Sequence, residues 1–142
     1  MSDAARRILL AILLLGVIGI SAELLLLNHI EDASQWIPLG LCAVTVVLIV
    51  AVAFAPSTAT VRVFQLVMVL LIISGALGIY LHYGATTAFQ LEMDPTLKGF
   101  ALFKKAILAK APPALAPGAM TQLGLIGLAY TFGHPALGTR RM

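Results

Sequence analysis

Six acidic side chains and three histidines hold most of the reactive chemistry in this 142-residue chain, and they are not scattered. His29, Glu31 and Asp32 fall together in the break between two apolar runs, and His82 closes the third run. Glu92 and Asp94 follow soon after. Imidazole with carboxylate suits zinc, copper, iron or manganese. Two histidines on different helices can also hold a haem iron. His29, Glu31, Asp32 and His82 therefore form a candidate metal set. Their spacing matches no metal motif, and polar side chains at helix ends also serve as caps and a solvated rim. The expectation is no cofactor, with a transition metal or haem as the alternative.

Glu23 is a different kind of candidate, because it lies inside an apolar run. An acidic residue at the centre of a membrane span costs about 2.5–3.5 kcal/mol, so it marks either a proton or ion site or a polar packing contact. At ~1.5 Å per residue it stands roughly 7–8 Å from the end of its helix. It is six residues from His29, about 240° around a helix, so the two do not share a face. Gln65 and Gln122 bring comparable polarity into other runs and are read the same way, as proton or ion sites or polar packing residues. His134, before Pro135, reads as a membrane-interface residue.

No nucleophile–base set or cofactor motif accompanies these groups, so an enzyme is the least supported reading. The single cysteine, Cys42, excludes an internal disulfide and reads as a packed hydrophobe. Net charge is +3, with basic residues at the edges of apolar runs, which gives no footing for nucleic acid.

The elements that position these residues follow from composition. Apolar residues are 61% and charged residues 11%, too little polar surface for a soluble monomer and too much hydrophobicity for disorder. Four runs approach the roughly 20 residues a bilayer requires, at 8–28, 37–55, 63–83 and 116–132, the last diluted by Gln122 and glycines. The expected fold is an all-α integral membrane protein: a single domain over 1–142, built as an antiparallel bundle of four transmembrane helices. In the first run Ile20 suits a cleavage site poorly and apolar residues continue to Leu27, so it reads as a retained helix rather than a signal peptide.

With the amino terminus inside, Arg6, Arg7, Arg62, Arg140 and Arg141 face Lys98, Lys104, Lys105 and Lys110, five basic residues against four. The rule that cytoplasmic loops carry the excess then places both termini in the cytoplasm, in a bacterial inner membrane. Trp36, Tyr80 and Tyr83 fit as interface anchors on the outer side. The outer loop spans 84–115. Ala88 to Met93 alternate apolar and polar, which predicts a short extended segment. Asp94-Pro95 then predicts an N-cap and first turn of a helix running to Lys110, with Leu97, Phe100, Phe103, Ile107 and Leu108 as its apolar stripe. Such a helix would lie on the outer leaflet or cap the bundle. Small residues four apart, Ser74 with Gly78 and Gly127 with Thr131, predict close helix packing.

The stretch Gly19-Ile20-Ser21-Ala22-Glu23 resembles the glutamate-bearing first helix of small multidrug transporters. The long outer loop and the lack of tryptophan in the third run depart from that family. The Arg- and Asn-rich second helix of glutathione-type four-span enzymes is missing, and one cysteine excludes the thiol-oxidising kind. The chain is assigned to no family. Its expected role is a non-enzymatic accessory or interaction subunit of a larger membrane complex, partnered by the bilayer and by other subunits or further copies. The alternatives are a metal or haem site at the outer face, and a small proton-coupled carrier using Glu23.

Overall fold

The computed structural model describes residues 1–28, 35–110 and 114–138, and no strand occurs among them. Its helices are α1 (Asp3–Leu26), α2 (Trp36–Phe54), α3 (Thr58–Met93), α4 (Gly99–Ile107) and α5 (Leu115–Thr131), followed by a 3-10 turn at Pro135–Leu137. Three of them, α1, α2 and α3, are long and apolar enough to cross a membrane. At 17 residues, or ~25 Å by a rise of ~1.5 Å, α5 falls short of the roughly 20 residues usual for a span.

Local chemistry sets the helix starts. The Ser2 hydroxyl accepts the Ala5 N–H at 3.3 Å, and the Ser57 hydroxyl accepts the Thr60 N–H at 3.0 Å. Each fills a donor that the first helical turn leaves unpaired. Pro38 and Pro117 sit in the first turns of α2 and α5, where a missing N–H costs little.

The buried residues recur at alternating three- and four-residue steps. In α1 they are Leu13, Val17, Ile20 and Leu24; in α2, Cys42, Thr45, Ile49 and Val52. In α3 the row is Val61, Phe64, Met68, Leu71 and Gly75, and in α5 Met120, Leu123, Gly127 and Tyr130. That spacing keeps one narrow seam of each helix facing its neighbours. Residues on the opposite faces are just as apolar: Leu15, Ile18, Val47 and Leu66 are all exposed. A helix that is hydrophobic all round needs an apolar surround outside its seam as well as inside.

Helix α1 packs on α2 and α5, and α3 packs on the same two, so these four close a ring. The tightest pair is α3 with α5. A Cβ on Gly75 would meet the Thr121 hydroxyl and the Pro117 carbonyl oxygen, and one on Gly127 would meet Met68 Sδ. Only glycine permits this approach.

Beyond Tyr83 the structure differs from the sequence expectation. Residues 88–93 are helical, not extended, and α3 runs 36 residues to Met93. Ala85, Phe89 and Met93 also repeat every four residues, so the alternation read as strand is equally a helical stripe. Asp94 does not start the next helix; it caps the end of α3, its N–H bonded to the Gln90 carbonyl. Its Oδ1 accepts the Thr96 hydroxyl at 2.6 Å and the Thr96 N–H at 3.1 Å, which lowers its pKa and closes a turn. Helix α4 is shorter than expected and begins at Gly99. It packs only on α3, burying Ala106 and leaving Phe100, Phe103, Ile107 and Leu108 exposed. The apolar stripe therefore does not cap the bundle; it faces outward.

Candidate functional site

The start of α1 and the end of α5 lie toward one end of the helix ring, and a polar clamp joins them there. Arg6, in the second turn of α1, is only 7% exposed. Its guanidinium donates to the carbonyl oxygens of Tyr130 at 2.9 Å, Phe132 at 3.3 Å and Gly133 at 2.7 Å. These carbonyls belong to the end of α5, where four acceptors lack helical partners and the helix dipole is negative. Gly133 takes φ +57°, the left-handed turn that commonly ends a helix. The guanidinium Nε has no partner among the described residues.

His134 completes the clamp. Its Nδ1 accepts the Ala136 N–H at 3.1 Å, so the neutral ring carries its proton on Nε2. That nitrogen stands 3.2 Å from the Tyr130 hydroxyl, which donates to the Val52 carbonyl at 3.4 Å and so ties α5 to α2. Burial, and secondly the Arg6 charge, hold the His134 imidazole below its ordinary pKa. Thr58 donates to the Ala136 carbonyl at 2.7 Å, and Gln65 donates to the Thr131 hydroxyl at 3.0 Å. The group joins four helices through neutral and cationic donors. It holds no nucleophile paired with a free base, so its chemistry is positioning.

Among the described residues the opposite end of the ring is open. A cavity of about 700 Å³ lies among α1, α2, α3 and α5, bounded below by Ile20, Leu70 and Met120. Leu41, Leu77 and Pro117 wall it, and its polar lining among the described residues is Ser74, Gln35 and His82. Pockets of this size, largely apolar with a few polar groups, are the usual form of a small-molecule site.

The sequence candidates divide accordingly. His29, Glu31 and Asp32 lie outside the described residues, so of the metal set only His82 is placed, on the cavity lining. Among the described residues no three metal-ligating side chains converge. Glu23 is exposed, its carboxylate makes no hydrogen bond among the described residues, and it does not line the cavity. Gln122 is likewise exposed, whereas Gln65 donates to the Thr131 hydroxyl. Ser74 and Gly78 border the cavity, and Gly78 also abuts Pro117. Trp36 and Tyr80 are exposed, while Tyr83 stacks toward Phe103 with ring centroids 6.1 Å apart. His134, read as an interface residue, is instead buried in the clamp. Arg6, read only as a topology charge, is the residue the sequence reading missed. The only trace of its role in the sequence is Gly133 after the last long apolar run, and its partners lie 124 to 127 residues away.

No family model matches the chain, and no curated protein or solved structure is similar to it.

Proposed function

We propose that this chain is a non-enzymatic accessory subunit of a larger membrane complex. It sits in a bacterial inner membrane as a four-helix bundle, both termini cytoplasmic, and docks its partner through the arm made by the end of α3 and by α4. In this reading α5 is the fourth crossing helix. Its 17 residues lie along α3, and the Arg6 clamp ends it without leaving carbonyls exposed to lipid.

The exposed stripe on the arm carries the proposal. Helix α3 has 36 residues, roughly 54 Å at ~1.5 Å each, against a hydrocarbon core of roughly 30 Å. With Tyr80 and Tyr83 at the headgroup level, the residues from 84 to 93 reach roughly 15 Å further. That exceeds the headgroup layer, which adds only about 5–8 Å on each side. Out there Phe89, Met93 (71% exposed) and Phe100 (77% exposed) present aromatic and thioether surface to water. Exposed apolar patches of this kind, with lysines beside them, mark protein-binding sites. Lys98, Lys104 and Lys105 flank the stripe and suit a partner with acidic residues around an apolar groove.

A photoreactive residue placed at Phe100 in native membranes tests this. One cross-linked protein species at fixed stoichiometry, not formed from the same probe at Val47, is the expected result. Adducts to lipid alone, or the same mixture from both positions, would refute it.

A further inference from the structure

We propose that the open-end cavity takes one long acyl chain from the surrounding bilayer, with the polar end of that molecule at the rim beside Gln35 and His82. This goes beyond the docking reading and uses a different part of the molecule.

Shape is the first argument. The lining follows α3 from Leu70 to Ala85, roughly 22 Å at ~1.5 Å per residue, beside a cavity of about 700 Å³. An elongated, largely apolar space of that length suits an extended alkyl chain. The length exceeds the ~15 Å hydrocarbon depth of one leaflet, so a chain drawn from that leaflet can lie wholly within it.

Polarity is the second argument. Gln35 precedes α2, and His82 lies near the outer end of the shaft, while the floor at Ile20, Leu70 and Met120 is hydrocarbon. Ser74 is the one polar lining side chain between them among the described residues. An apolar shaft with polar groups at one mouth complements a molecule with a tail and a head.

Access is the third. Ile37 of α2 and Ile73, Leu77 and Leu81 of α3 line the cavity and are themselves exposed. The shaft therefore opens sideways onto the same apolar surface that the crossing helices present to lipid. A chain can enter without passing through water. Pro117 against Gly78 closes the wall on the α5 side.

Native mass spectrometry of the delipidated full chain in detergent, titrated with stearate and separately with a distearoyl phospholipid, tests the proposal. The expected result is an adduct saturating at one molecule per chain. Ser74→Phe and Ala116→Phe, each filling the shaft, should weaken it at least ten-fold, while Val47→Phe on the outer surface leaves it unchanged. Saturation by stearate alone identifies a free fatty acid, and by phospholipid a bilayer lipid; either supports the acyl site. Adducts that never saturate, or that persist equally in both filled variants with unchanged melting curves, overturn it. If both variants fail to fold, quenching of Trp36, the only tryptophan, by bromine-labelled stearate decides. Saturation at one equivalent upholds the site, and quenching that rises in proportion to the label's share of the micelle overturns it.

Discussion

The Arg6 guanidinium donates to the Tyr130 carbonyl at 2.9 Å, joining the first turns of α1 to the last turn of α5. A buried cation thus meets a helix end whose carbonyls lack helical partners, and no carboxylate among the described residues takes part. The arrangement resolves two problems at once: a buried charge and an unfinished helix.

Replacing Arg6 should therefore cost more than a topology charge would. Hydrogen bonds to a charged group are worth about 1.5–3 kcal/mol each and are not additive, so Arg6→Met is expected to lose about 3 kcal/mol. Arg6→Lys should fall between it and wild type, because a single ammonium cannot span the three carbonyls as a fork does. Arg7, which is exposed, is the control. Thermal unfolding in detergent measures the difference; equal melting points for Arg6→Met and Arg7→Met would remove the clamp from the account.

The α3–α5 contact makes an opposed pair of predictions for glycine. Gly75→Ala puts a methyl against backbone atoms of α5, the Pro117 carbonyl oxygen at 2.5 Å and the Thr121 nitrogen at 2.8 Å. Backbone cannot swing aside, so a loss of about 1–3 kcal/mol is expected. Gly19→Ala meets open space and should gain about 0.5–1 kcal/mol from helix propensity. Melting curves of the two variants should move in opposite directions.

His134 gives a pH dependence. Its ring is neutral in the folded chain, with Nδ1 accepting from backbone, and its pKa is lowered by burial and by Arg6. The unfolded ring titrates near its ordinary value of about 6.5. The folded state binds the proton less readily, so the stabilisation is complete above about pH 6.5 and is lost as pH falls through the lowered folded value. The melting point should fall as pH drops below about 6.5, and His134→Asn should flatten that fall. Asp94 also has a lowered pKa, but its loss belongs to pH values below the ordinary carboxylate range and does not overlap. An unchanged slope in His134→Asn would assign the drop to other groups.

The apolar runs made α1 and α2 legible to within a few residues, because a helix apolar on every side has few alternatives in sequence. The end of α3 was not legible. Phe89, Leu91 and Met93 satisfy a strand period and Ala85, Phe89 and Met93 a helical one, and only the packing of α4 on α3 decides between them. The stripe of α4 was found correctly as a stripe, but its small-residue face at Ala106 packs instead. Arg6 was seen as a charge and not as a cap, since its acceptors are carbonyls that any residue supplies. The cavity is a space among four helices and has no sequence signature of its own; His82, Ser74 and Gly78 on its lining stood out, but none of them as a cavity residue.

The subunit role is tested most directly by native mass spectrometry of the protein extracted gently from its own membranes, wild type beside the Met93→Asp, Phe100→Asp double variant. The account predicts a single larger assembly of defined mass for the wild type. It predicts a bare chain for the variant, with an unchanged melting point because both side chains are exposed. A wild type that leaves the membrane as bare chains or as multiples of itself, or a variant that keeps the full assembly, would contradict it.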